Sequence, residues 1–561
     1  MRRLKVFITL VAVVLATIAT TATTVSGQQV PVKDVRLVLE ASMKAMGGTN
    51  LKTIQYSARG WNSRVGQTYT LNEDWPKYEV ADYTRVIDYD ARWSREDYTR
   101  RQGNYPRLGN LPLPETKVTS VLSGNYAWDM QGDKPVPFTG LYLFGVPYAD
   151  LRMLDVALTP HGFLKMALAA KDATAISMPV NGASDFGLSA FGRKVTIVSF
   201  TMGRYKINGT INDQNLVELT DAWFPNPVYG DMDYEFRYTR YKDYGGVMFP
   251  GLIHVHQGDP RLNPAHNVYE YAVTDVKPNA PVTSMPVPDA VRNAKVAPVK
   301  VESTKLADRV WLLGGGSHNS VLVEFNDFTA VVEAPQNEER SLAVMDEVAR
   351  LAPNKPIRYV VNTHHHMDHA GGLRTYLAQG TTIVTHAINR EYYVDLLFST
   401  AARTLQPDHM SFFNPMYWVS RRPPPIATVG NIADFGGPAN GSGGGVRYVI
   451  TDHERLMEVL YVEDMAYELG DNAYAQGNHS QDMLMVYLPK EKMLINADLY
   501  SPPAPGAQPP TISPGMLTLF QNMRKYKLDV TQHVGLHGGL ASNADFMKTI
   551  GDKATTAASR P

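Results

Sequence analysis

The 561-residue sequence contains no cysteine. Disulfides, thiol nucleophiles and thiolate metal sites are thereby excluded, and any bound metal must rest on nitrogen and oxygen. Neither charge is in excess: 54 Lys and Arg stand against 55 Asp and Glu, a net charge of -1. No overall field draws the protein to nucleic acid or to anionic lipid. Also missing is an apolar run of the ~20 residues needed to cross a bilayer. The longest candidate is the stretch from Val6 to Ala19, preceded by Arg2, Arg3 and Lys5 and followed by small and hydroxylated residues up to Ser26 and Gly27. That is the three-part form of a secretory signal. It predicts that residues 1–27 are removed and that the mature protein is periplasmic or secreted, with the export route left open.

What is present is globular: 44% hydrophobic and 19% charged residues, far from the composition of disorder. A single core stops growing near ~250 to 300 residues, so the length predicts two large domains. After the signal, Val35, Leu39, Met43 and Met46 recur at helical spacing and stop at Gly47 and Gly48, predicting one amphipathic helix. The period then changes to two. Tyr205 and Ile207 alternate with Lys206 and Asn208, and Tyr234, Phe236 and Tyr238 alternate with Glu235, Arg237 and Thr239. Residues 28–276 therefore read as a mainly antiparallel β (α+β) domain, with one internal helix over 158–170. Prolines 278, 281, 286, 288 and 298 mark residues 277–300 as a stiff, non-helical linker. Beyond it, short apolar strands at 321–325, 329–332 and 357–361 alternate with a helix over 338–351, so residues 301–550 read as an α/β domain, and 551–561 as a tail.

The segment Asn362-Thr363-His364-His365-His366-Met367-Asp368-His369-Ala370-Gly371-Gly372 follows the last of those strands. In extended or turning backbone, residues two apart point the same way, so His364 and His366 can converge on one metal while His365 faces elsewhere. Asp368 and His369, at the start of the following helix, can reach a second ion. Zinc accepts imidazole and carboxylate ligands. Two ions need about three protein ligands each, so the chain must supply more. His479 precedes an apolar strand, Asp498 follows one, and His537 sits in a glycine-rich turn, which is where a scaffold presents a site.

These segments, in this order, resemble the metallo-β-lactamase superfamily over about residues 301–550. Asp498 lies 19 residues after His479, and His537 lies 39 after Asp498, a spacing that fits the family. The resemblance implies a four-layer αββα fold and two zinc ions. It assigns the first ion to His364, His366 and His479, the second to Asp368, His369 and His537, and a bridging role to Asp498. It further implies a hydrolase in which a metal-bridging hydroxide attacks an ester, thioester, lactone or related bond of a small-molecule substrate, with Asp368 orienting it and shuttling its proton. Where much of the family has an aspartate at the end of an early strand, this chain has Glu333, whose longer arm can serve the same purpose.

Ligand identity sorts the branches. A di-iron, oxygen-reducing branch places glutamate where His366 stands, cysteine-using β-lactamases need a cysteine, and cysteine-free ones generally lack a bridging aspartate. Glyoxalase-II-like and esterase-like branches are favoured, with a β-lactamase-type amide hydrolase as the alternative. Export and neutral charge argue against nucleic acid as substrate. From His369 to His479 is 110 residues, so residues 392–452, with Phe412, Phe413, Tyr417 and Trp418, read as an insertion. A lid or substrate wall and a peripheral packing element are equally open there. His254 and His256 lie two apart on a strand with no third ligand in sight and read as structural; His318 and His386 are left outside the site. The N-terminal half faintly resembles periplasmic lipoprotein-carrier folds. That resemblance carries the competing reading, a cell-envelope protein that binds lipid or a partner.

Overall fold

In the computed structural model, residues 30–551 are described except 33, 72, 106–113, 180–192, 259–265, 398–402, 414–424, 431–445, 465–466, 470–472, 476 and 505. Residues 1–27, read from the sequence as a signal, and Tyr417 and Trp418 of the stretch read as an insertion lie outside the described residues.

Residues from Val30 to Pro278 build one fourteen-stranded sheet with every pairing antiparallel. Its strands show the expected period of two. In Gly230–Thr239, Tyr234, Phe236 and Tyr238 are buried while Glu235 and Arg237 are half-exposed. The buried face packs against the helices Val35–Ala45, Tyr148–Ala157 and Pro160–Ala169 in a shared core. Asp34 caps the first helix, accepting from the backbone N–H of Arg36 and Leu37. It ends at Gly47, whose φ of +65° and contact with the Gly246 carbonyl leave no room for a Cβ.

His161 is fully buried in this core, stacked on Phe249, with its Nε2 3.1 Å from the Met46 carbonyl. Burial pushes its pKa down from 6.5 to about 4, against the opposing pull of Met46. A folded-state pKa below the unfolded one means the unfolded chain binds the extra proton. Stability is therefore full above about pH 6.5 and is lost as pH falls toward 4, by roughly 3 kcal/mol at most. In thermal melts across this window, His161→Phe is expected to flatten the acid-side fall in Tm; an unchanged slope would assign the fall to other groups.

The linker differs from its sequence reading in one respect. Asp289–Arg292 forms a single helical turn after Pro288, anchored by Val291 against Trp93, Val121 and Trp128. Proline is tolerated at the start of a helix, where its missing N–H has no partner to lose, so a proline-rich stretch need not be helix-free.

The C-terminal half contains a seven-stranded and a six-stranded sheet. In the first, Thr329–Val332, Ile357–Val361, Thr382–His386 and Ile426–Val429 run parallel. The last of these belongs to the stretch read as an insertion. Successive residues of each strand enter different cores: Val331, Val360 and Ile383 join the core shared with the N-terminal half, while Val332, Val361 and Val384 join a second one with Val459, Val486 and Ile495 of the other sheet. Burial on both faces is why these strands read as unbroken apolar runs. The helix Glu338–Leu351 starts where expected, with Asn337 accepting from the Arg340 N–H.

Candidate metal centre

Strand Ile357–Val361 ends at the mouth of the site, and the turn after it is held by side chains buried on every side. Asn362 Nδ2 donates to the His364 carbonyl at 2.7 Å, and its Oδ1 accepts from Tyr393 at 2.7 Å. The following helical turn, Met367–Ala370, packs so closely that a Cβ on Gly371 would meet the Gln336 carbonyl at 1.9 Å and one on Gly372 the Ser341 hydroxyl at 2.0 Å. The two glycines of the motif are thus a packing requirement.

All seven residues singled out from the sequence come together here. His364, His366 and His479 offer ring nitrogens within 4.8 Å of one another, and a carboxylate oxygen of Asp368 lies equally close to ring nitrogens of His318, His369 and His537. His364 Nε2 lies 3.1 Å from His366 Nδ1, and His369 Nε2 lies 3.1 Å from His537 Nε2. Asp498 stands between the groups: Oδ2 is 2.9 Å from His369 and 3.6 Å from His364, and Oδ1 is 3.4 Å from His537. Its backbone takes φ of +56°, a region aspartate tolerates better than most residues.

The electrostatics follow from burial and from the crowding of ring nitrogens and carboxylates. Burial, then their neighbours, pushes His364 and His366 well below the usual imidazole range. Burial would also lower His369, but Asp498, Asp368 and Glu333 outweigh it and hold it well above. Asp498 Oδ2 is buried with no hydrogen bond of acceptable geometry. His364 and His366, with ring nitrogens facing each other at 3.1 Å beside the buried Asp498 carboxylate, suit a divalent metal, and the donor set of nitrogen and oxygen suits zinc.

Several contributors had no voice in the sequence motif. Glu333, fully buried at φ +77°, places Oε2 3.0 Å from His369 Nδ1 and accepts from the Thr363 hydroxyl, which is the supporting role its position suggested. His318, set outside the site on sequence grounds, belongs to it, with Nε2 3.3 Å from Asp368 Oδ2. Its one local signal is the glycine-rich turn that delivers it after strand Val310–Gly314. His365 does face away, onto Asp482 at 2.9 Å. The least expected partners come from the N-terminal half, in the connection between strands Thr53–Ser63 and Lys77–Asp88. There Gln67 donates to Asp368 Oδ1 at 2.8 Å, the Thr68 hydroxyl meets His365 Nε2 at 2.8 Å, and the Thr68 carbonyl accepts from His366 Nε2 at 2.7 Å. That last bond places the proton on Nε2 and leaves Nδ1 of His366 free to ligate.

Residues 313–515 match the family model described as the metallo-beta-lactamase superfamily, so the C-terminal part carries that fold behind a large antiparallel β domain. Among solved structures, the chain is similar to a metallo-beta-lactamase from Pontibacter korlensis, at 14% identity over 46% of this chain and 100% of that one, with a TM-score of 0.30. It is likewise similar to the FIM-1 enzyme of Pseudomonas aeruginosa in its mono-zinc form, at 16% identity over 47% and 98% and a TM-score of 0.30, and to a metallo-beta-lactamase of Hirschia baltica, at 16% over 46% and 98% and a TM-score of 0.29. No curated protein matches the chain. Among the described residues, no helix is long and apolar enough to cross a membrane.

Proposed function

We propose that this protein is an exported, zinc-dependent hydrolase acting on an ester, thioester, lactone or related bond of a small molecule. The observation that carries the reading is Asp498, one carboxylate within reach of both histidine groups. On this reading His364, His366 and His479 would hold one ion and Asp368, His369 and His537 the other, with Asp498 within reach of both groups. Bound zinc supplies Lewis acidity and lowers the pKa of water. The chain's own residues position the rest. Asp368, steadied by Gln67 and facing His318, lies where it can orient the attacking water and carry its proton. Asp498 supports the glyoxalase-II-like and esterase-like branches over β-lactam hydrolysis. Export rests on the apolar run from Val6 to Ala19 behind Arg2, Arg3 and Lys5. We read the catalytic half as αββα, since each of its sheets shares a core with helices.

The test is turnover by the purified protein across lactone, thioester, carboxylic ester, sulfate ester, phosphodiester and β-lactam substrates, with bound metal measured in parallel. One of the first three classes should be hydrolysed with about two zincs bound, lost on chelation, restored by zinc, and absent in His366→Ala. Turnover of β-lactams alone would select the amide-hydrolase branch instead. Metal bound without turnover of any class would favour the envelope-binding reading. Gln67→Ala is expected to weaken zinc binding about 10- to 100-fold, the usual cost of losing a group that orients a ligand; chelator competition measures it, and wild-type affinity would remove Gln67 from the centre.

A further inference from the structure

The half-exposed face of the N-terminal sheet carries a second convergence of donor atoms. His254 and His256 lie on strand Leu252–Gly258, between Gly230–Thr239 and His266–Pro278. Their Nε2 atoms face each other at 3.0 Å, close to the 3.1 Å that separates the paired ring nitrogens of the main centre. Each Nδ1 is held by a carboxylate at 2.9 Å, Glu270 for His254 and Glu235 for His256. A ring that gives its Nδ1 proton to a carboxylate turns a lone pair outward on Nε2, as in the carboxylate–histidine–metal arrangement. The third donor is the Asn267 side-chain oxygen, 2.7 Å from His254 Nε2. Asn267 is fixed in that sense because its amide nitrogen donates to Asp74 at 2.6 Å.

The backbone is shaped for this meeting. Asn267 and Glu270 are three residues apart and would face opposite sides of a regular strand. The register between Leu252–Gly258 and His266–Pro278 shifts at Val255/His256, inserting one residue into the second strand, so both side chains reach His254. Bulges of this kind re-aim side chains at functional positions. His254 Nε2 thus faces two acceptors, His256 Nε2 at 3.0 Å and Asn267 Oδ1 at 2.7 Å, an arrangement that either a proton on that nitrogen or a metal cation among the three atoms satisfies. Glu235, Glu270 and Asp74 supply negative charge around them, partly offset by Arg237 on Glu235 at 2.6 Å and Lys77 on Asp74 at 3.3 Å. His254 and Glu270 remain partly open to solvent, leaving an entry path.

We propose that His254 Nε2, His256 Nε2 and Asn267 Oδ1 form a further metal site for an imidazole-preferring divalent cation such as zinc, nickel or copper. The site is separate from the hydrolytic centre and does not depend on its activity.

Zinc alone is the probe, with the full chain and metal counted after equilibrium dialysis. The wild type should bind one more zinc per chain than His254→Ala, with hydrolytic turnover unchanged. In a His366→Ala background the extra zinc should persist, which separates this site from the main centre. Zinc should also raise the Tm of His366→Ala by more than that of His254→Ala/His366→Ala. If the alanine variants fold poorly, Glu270→Gln provides the second reading, with an expected 10- to 100-fold loss of affinity at this site. Equal zinc content in wild type and folded His254→Ala, or full affinity in Glu270→Gln, would overturn the assignment and leave the two rings sharing a proton.

Discussion

Asp498→Ala should remove zinc from both positions and lower kcat/KM by about a thousandfold or more, near 4 kcal/mol of transition-state stabilisation. Its two oxygens lie 2.9 Å from His369, 3.6 Å from His364 and 3.4 Å from His537, so one side chain reaches both histidine groups. Without it, the crowded imidazoles lose the carboxylate that lies between the two groups. Metal content and turnover should fall together, whereas a purely catalytic residue would leave the metal in place. Asp498→Asn keeps the shape and the tolerance for φ of +56° but loses the charge, so it should fold normally and still lose at least one ion. Two zincs and wild-type turnover in either variant would sink the bridging assignment.

The second large effect is expected on stability. Glu333 is fully buried and engages His369 Nδ1, the Thr363 hydroxyl and the Thr363 N–H, the last at 3.3 Å. Removing one partner of a buried charged pair strands the other and costs about 3 to 5 kcal/mol. Glu333→Ala should therefore lose about that much in urea unfolding of the metal-free protein. It should also weaken the second metal, because His369 would no longer be held with Nε2 toward Asp498. Glu333→Gln, which can still accept from Thr363 through its amide oxygen, should recover part of the stability. If both variants unfold like the wild type, Glu333 is a passive core residue.

Much of the catalytic half was legible because its signals are local. Apolar runs marked Thr329–Val332 and Ile357–Val361, with the helix Glu338–Leu351 between them, and the ligand types that follow the second strand were read from there. What stayed hidden depends on contacts between distant parts of the chain. Gln67 and Asp368 are 301 residues apart, and nothing around either announces the other. His318 carries no spacing rule linking it to Asp368, and Asn267 reaches His254 only through a bulge that period-two reading cannot foresee. The helical turn at Asp289–Arg292 was masked by prolines that favour neither outcome alone.

The bond from His366 to Thr68 ends on a main-chain carbonyl, and this makes the centre sensitive to chain length rather than to residue identity. An alanine scan through residues 64–76 would be blind to it, since Thr68→Ala keeps the carbonyl and loses only the hydroxyl on His365. A one-residue deletion in the same connection would move that oxygen off the ring while leaving every residue from His364 to His369 intact. Variation in this segment between related chains would then be read as harmless loop drift when it retunes the metal, and grafting the C-terminal half alone onto another carrier would yield a centre with one of its histidines unsteadied.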